Sequence, residues 1–305
     1  MTTRRLEKGV RELVTSFISS GSPSVYQQTL EERRQGYRDS AQLAGSLESV
    51  YQVTHLQIDG SKLKIYKPFN GTNMTVAVYF HGGCFVSGGF DTHEQQLRKI
   101  ANSSGAIVIA MEYRLAPEHT YPAAHDDALH AAQIIYKHCQ SWGGNPKNIT
   151  FVGDSAGGHL SLITSLRLRD LGNWQPTKQV LIYPMIDATA GSSSYIENGE
   201  HYLITRETLL SGFDMYLNEL PRKHSEASPL FRQDLHSLPE THILAAEFDP
   251  LVDEGKQLYH QLIESGVNAH YQFYPNVIHG FFQLSGISQS ARASIQYVAQ
   301  VISSQ

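Results

Sequence analysis

The chain has 305 residues, enough for one large domain or two smaller ones with a sizeable core. A formal net charge of −5 and a pI near 6.3 give no general basic field to attract nucleic acid or an anionic membrane. Charged residues at 17% and hydrophobic ones at 41% describe a globular chain rather than a disordered one.

Met1 to Val10 is charged (Arg4, Arg5, Glu7, Lys8) and predicts a helix. No apolar segment follows a basic one there, so no secretory signal peptide is expected. No run reaches the ~18 apolar residues of a membrane span. Cys84 and Cys139 are too few for a disulfide framework, and free thiols suit a reducing compartment. The expected location is the cytoplasm.

Up to about Ser46 the chain is polar and helical in pattern. Val53–Ile58 and Leu63–Tyr66 flank Asp59-Gly60, a two-residue hairpin signal. Short apolar runs then follow at Thr75–Phe80, Ala106–Met111, Ile149–Val152, Gln179–Tyr183, His242–Ala246 and Ala269–Tyr274. Most are apolar on successive residues, as strands covered on both faces are. Helical patterns separate them, at about Thr92–Asn102, Pro122–His138, Ala156–Arg169, Leu251–Glu264 and Ser288–Ile302. The alternation predicts an α/β fold, with a mostly parallel sheet and helices on both faces. The interval from Ala188 to about Ser228 is too long for a simple connection and holds a helical stretch at Thr205–Leu220. It is read as a cap insertion (188–228). N-terminal cap helices (1–46) could pack with it, over a catalytic core of 47–187 and 229–305.

The chemistry concentrates at strand ends. Gly153-Asp154-Ser155-Ala156-Gly157-Gly158 lies between a predicted strand and a predicted helix, the context of a G-x-S-x-G nucleophile elbow. A tight turn there excludes side chains at the flanking positions and exposes the Ser155 hydroxyl. The Ala156 amide falls at a helix N-terminus, where partial positive charge favours an oxyanion. The bland alternative is a glycine-rich turn with a capping serine. His81-Gly82-Gly83-Cys84 follows an earlier strand, where a second oxyanion donor belongs. The amides of Gly83, Cys84 and Ala156 are the candidate oxyanion hole. A side chain at Cys84 is tolerable provided its φ is negative. As a nucleophile Cys84 would need a partner lowering its pKa, and the sequence offers none.

The acid should follow the serine, and the base should follow the acid. Asp249 sits just past the strand His242–Ala246; Glu247 and Asp253 are its rivals, one inside the strand and one a turn into the helix. Asp249 before Pro250 is also an ideal helix N-cap, and one carboxylate can serve both ends. His279 lies beyond the last strand, 30 residues after Asp249. Position singles it out among 15 histidines, since His270 is in a strand and His260 in a helix. Ser155, Asp249 and His279 are therefore the candidate catalytic set. No Cys/His cluster has zinc spacing and no glycine loop has the Walker pattern, so neither metal nor organic cofactor is expected.

Taken together, His81 to Cys84, Gly89-Phe90-Asp91-Thr92-His93, Tyr113-Arg114-Leu115-Ala116-Pro117-Glu118, Gly153 to Gly158, Ala246 to Glu254 and His279 resemble the hormone-sensitive-lipase-like esterases, close to bacterial acetyl esterases. The resemblance runs from about Val50 to the C-terminus. It implies the α/β-hydrolase fold with a helical cap, hydrolysis of short-chain acyl esters (acetyl to about hexanoyl), a small-molecule ester as substrate, and a monomer or homodimer. It also supports Ser155, Asp249 and His279. Cys84 departs from the family's third loop glycine, which bears on esters of bulky tertiary alcohols. Arg114 is expected to pair with a carboxylate in a structural turn, Asp154 to support the elbow, and His93 and Phe90 to line the pocket. Three other functions compete: a binding protein that has lost turnover, a peptidase, amidase or acyltransferase, and a long-chain lipase. The complete catalytic set argues against the first. No propeller-like extra domain supports a peptidase, and the N-terminal segment is rather polar for a lipase lid.

Overall fold

A computed structural model describes residues 5–21, 23–172 and 174–304. The first four residues of the expected N-terminal helix lie outside that description. Helix α1 spans Lys8–Ser19 and α2 spans Leu30–Ser40. Thr29 and Glu32 close a capping box on α2, each side chain bonded to the other's backbone amide, as the Thr-x-x-Glu spacing dictates.

Strands β1 (Gln52–Ile58) and β2 (Ser61–Lys67) form the antiparallel hairpin. Asp59 and Gly60 both have positive φ, at 48° and 85°, as a tight two-residue turn requires. The remaining elements alternate: β3 (Met74–Phe80), α3 (Phe90–Ser104), β4 (Ile107–Glu112), α4 (Ala123–His138), β5 (Gly144–Asp154), α5 (Ala156–Leu171) and β6 (Lys178–Ile182). Then come α6 (Ser194–Glu197), α7 (Arg206–Leu217), β7 (Glu240–Phe248), α8 (Val252–Glu264), β8 (Ala269–Ile278) and α9 (Gln289–Ser303). The eight strands form one sheet in the order β1-β2-β4-β3-β5-β6-β7-β8, parallel from β4 to β8.

Side-chain alternation on the strands sorts the core into two faces. Val76, Val78 and Phe80 of β3 pack with Ala124, Ala128 and Ile135 of α4. Ala77 and Tyr79 point the other way, to Leu97 and Ile100 of α3 and Ile295, Val298 and Ile302 of α9. Leu162 and Leu166 of α5 meet Leu258 and Leu262 of α8 over β6 and β7.

The two N-terminal helices have different neighbours. Val10 and Val14 of α1 belong to the α3–α9 side, where the Glu7 carboxylate accepts bonds from the backbone of Gln289 and Ser290 and the hydroxyls of Ser288 and Ser290. Helix α2 instead lies against the loop after β3, where Arg34 donates to the Val86 carbonyl at 2.9 Å. Leu209, Phe213, Tyr216 and Leu217 of α7 share a cluster with Cys84, Phe85 and Val86 of that loop. Among the described residues, no helix is long and apolar enough to cross a membrane.

Candidate active site

The turn between β5 and α5 is as tight as its glycines imply. Ser155 has φ 54° and ψ −115°, a conformation that strains a residue with a side chain. A Cβ on Gly153 would lie 2.2 Å from the Gly157 carbonyl oxygen, and one on Gly157 would lie 1.9 Å from that of Phe80. These glycines are thus required by close approach of backbone to backbone. Gly157 lets α5 start hard against the end of β3, beside the His81–Cys84 loop.

The structure brings the three candidate side chains into one row. Ser155 Oγ lies 3.1 Å from His279 Nε2, and His279 Nδ1 lies 2.8 Å from Asp249 Oδ2. A carboxylate oxygen accepts, so the imidazole proton sits on Nδ1 and the Nε2 lone pair faces the serine. All three residues are buried, Asp249 completely and Ser155 at 4% exposure. The other oxygen of Asp249 accepts from the Leu251 amide at 2.7 Å. That bond closes an Asx turn and not the expected N-cap, because α8 begins only at Val252 with Leu251 as its cap residue.

The rival acids are occupied elsewhere. Glu247 Oε2 accepts from the Asn276 amide and Oε1 pairs with Arg5; Asp253 accepts from the Ser194 amide at the start of α6. His260 and His270 are both exposed.

Among the described residues, no acceptor is bonded to the amides of Gly83, Cys84 or Ala156. They are therefore available to a substrate oxygen. Cys84 does not meet the condition of negative φ: it has φ 54° and Phe85 has φ 64°. Each left-handed residue costs roughly 1–2 kcal/mol. The turn is held by the Val86 and Ser87 amides, both donating to the Gly83 carbonyl at 3.0 Å, and by the Ala116 amide donating to Phe85. Burial pushes the Cys84 thiol up to about 11, only partly offset by Arg33, so it is not a thiolate nucleophile.

Asp154 is the buried hub behind the elbow. Its Oδ1 accepts from Tyr79 Oη at 2.9 Å, from the Gly82 amide at 2.9 Å and from His93 Nε2 at 3.0 Å. Its Oδ2 accepts from Gln283 Nε2 at 3.1 Å, and Gln283 also bonds Tyr37 of α2. Burial alone would raise this carboxyl; His93, Tyr79 and His81 outweigh it and hold it below its ordinary value. His93 therefore serves the hub, and Phe90 packs at the sheet edge beside His55 and Lys64. Neither contact is that of a pocket wall. Arg114 pairs with Asp127 at 2.8 Å, as expected, while Tyr113 stacks on His81 and donates to its carbonyl.

Sequence reasoning missed a second buried network that ties α7 to the core. Tyr216 Oη lies 2.5 Å from His125 Nδ1, His125 Nε2 lies 3.0 Å from His159 Nε2, and His159 Nδ1 lies 2.8 Å from the Met185 carbonyl. The Met185 carbonyl can only accept, so His159 carries a proton on Nδ1; His125 accepts from Tyr216 at Nδ1, and its Nε2–H is shared between His159 Nε2 and the Glu226 carbonyl, which lies 3.2 Å from it and 3.0 Å from His159 Nε2. Burial pushes His159 down to about 4 and His125 well below its ordinary value, keeping both neutral. Only the histidine on α5, one turn after Ser155, offered a clue.

A profile of the alpha/beta hydrolase fold matches residues 77–283. The chain belongs to the α/β-hydrolase family. Its relatives include the carboxylesterase NlhH of Mycobacterium tuberculosis, 33% identical over 230 residues that cover 74% of this chain and 72% of the relative. An ethyl acetate hydrolase of Pseudomonas putida is 31% identical over 89% of each chain. Among solved structures, a metagenomic ester hydrolase from Lake Arreo, EH1AB1, superposes on this α/β hydrolase with a TM-score of 0.93 at 30% identity, covering 98% of both chains.

Proposed function

We propose that this carboxylic ester hydrolase is a serine esterase acting on short-chain acyl esters, acetyl to about hexanoyl, through an acyl-enzyme. The observation that carries the reading is the hydrogen-bonded row Ser155–His279–Asp249 beside three amides free to donate to a developing oxyanion. His279 Nε2 takes the Ser155 proton as Oγ attacks the ester carbonyl. Asp249 holds the ring in its tautomer and stabilises the imidazolium. The amides of Gly83, Cys84 and Ala156 take the developing oxyanion, each donor contributing roughly 2.7–4 kcal/mol. His279 then protonates the leaving alkoxide, and water repeats the sequence on the acyl-enzyme.

The preference for small acyl groups rests on what closes over the serine. Helix α7 touches the oxyanion loop directly, since a Cβ on Gly212 would lie 2.6 Å from Cys84 Cβ. Arg33 of α2 reaches Ser211 of α7 at 3.0 Å. Residues 188–228 and α2 thus act as the cap, while α1 anchors the core through α9.

The test is hydrolysis of p-nitrophenyl esters from acetate to palmitate, with Ser155→Ala alongside. Fast cleavage of acetate or butyrate, poor cleavage of long chains and loss of turnover in the variant support the reading. Cleavage that peaks at palmitate overturns the chain-length part, and turnover retained in Ser155→Ala overturns the nucleophile.

A further inference from the structure

The far end of the sheet holds a second cluster that the esterase reaction does not use. Glu240 and His242 stand at the start of β7, and His270 stands opposite His242 in the parallel register of β8. One ligand atom from each, a carboxylate oxygen and two imidazole nitrogens, lie within 4.8 Å of one another. The two rings are stacked, with centroids 4.5 Å apart and planes at 15°. Glu240 Oε1 is 2.8 Å from His242 Nε2.

From these residues we propose that the start of β7 and β8 is a binding site for a divalent transition metal of the zinc or nickel type. The donor set, two imidazoles and one carboxylate, suits such an ion. Geometry permits it. In a near-tetrahedral set, ligand atoms 2.0–2.1 Å from a shared ion lie about 3.4 Å apart, so the cluster has to close by about 1.4 Å or less. His270 is exposed and Glu240 half-buried, so both can make that move. The 2.8 Å pair would subtend roughly 85° at the ion.

The surroundings already orient the ligands. Tyr297 Oη lies 2.8 Å from His242 Nδ1, and Asn268 Nδ2 donates to Glu240 Oε2 at 3.0 Å. An ion replacing the proton that His242 Nε2 gives Glu240 would leave Nδ1–H to donate to Tyr297, the kind of outer contact that fixes a ligand's tautomer and direction. Lys178, opposite Glu240 in the register of β6 and β7, has its ammonium bonded to the Val301 and Ser304 carbonyls. Asp249 lies seven residue steps from His242, just past the end of β7, about 23 Å away along the strand. The ion would therefore clamp the two strands that carry the acid and the base without entering the chemistry.

The experiment is titration of the full chain with Zn2+ and with Co2+, followed by calorimetry and by the cobalt visible spectrum, in the wild type, His270→Ala and Glu240→Gln. One equivalent should bind at micromolar or tighter affinity. It should raise the thermal midpoint by several degrees and leave short-chain ester turnover within twofold. His270→Ala should weaken binding at least tenfold and abolish the midpoint shift, while its metal-free melting stays that of the wild type. No saturable equivalent in the wild type overturns the proposal. So does equal affinity in His270→Ala, which would place the ion on another of the surface histidines.

Discussion

Replacing Asp154 by Asn tests whether the hub behind the elbow positions the oxyanion loop. The amide keeps an oxygen for Tyr79, the Gly82 amide and His93, but those three bonds lose the help of a formal charge. Charge-assisted bonds contribute about 1.5–3 kcal/mol and neutral ones about 0.5–1.5, so about 1 kcal/mol is lost at each donor and about 3 in total. The fourth contact can recover, because Gln283 can turn its amide to accept from the new NH2. Denaturant unfolding at pH 7 should therefore show a loss of about 3 kcal/mol. The Gly82 amide is the tether of the loop, so kcat for p-nitrophenyl acetate should fall tenfold or more with KM changed less than threefold. A pH series adds a signature. The folded pKa of Asp154 lies below its unfolded value, so its stabilisation is present above about pH 4 and is lost as pH falls through the folded value. The gap between the wild type and Asp154→Asn should shrink in acid. Stability within 0.5 kcal/mol of wild type, or kcat within twofold, would refute the reasoning.

Gly212→Ala should destabilise by about 1–3 kcal/mol and lower esterase activity, because its Cβ would meet Cys84 Cβ at 2.6 Å and the Cys84 carbonyl at 2.8 Å; unchanged melting and turnover would mean that α7 does not rest on the oxyanion loop. Glu254 is a fully buried acid whose pKa is driven well above the ordinary value, first by burial and then by Asp187 and Asp249. A raised pKa gives stability that is present below the unfolded value and is lost as pH rises through the folded one. Glu254→Gln should therefore match the wild type near pH 4 and melt higher at pH 9; parity at both is the contrary result. His159 is depressed from 6.5 to about 4, so its contribution is present above pH 6.5 and fades toward pH 4, by about 3 kcal/mol in all. Urea unfolding at pH 7 and pH 4.5 should show that loss in the wild type and a smaller one in His159→Gln.

Local order was legible in the chain because it depends on near neighbours. Asp59-Gly60 sets a hairpin, Thr29 and Glu32 cap α2, and apolar runs mark strands that the sheet covers on both sides. The glycines around Ser155 announced a tight elbow, and strand ends marked where Asp249 and His279 could converge. What the sequence could not show was which distant groups meet. Asp249 looked like a helix cap because Pro250 follows it, yet α8 starts later and the carboxylate closes an Asx turn. Cys84 was expected to need negative φ, and the loop accepts φ 54° because bonds from Val86, Ser87 and Ala116 hold the turn around it. Asp154 read as a local support, but its partners come from three separate stretches of chain: Tyr79 and Gly82 at the end of β3, His93 on α3, and Gln283. His242 and His270 are far apart in sequence and become neighbours only through the register of β7 and β8. Propensity and turn chemistry act over a few residues and can be read along a line. Buried charge and ligand clusters depend on which strand lies beside which, and only the tertiary structure decides that.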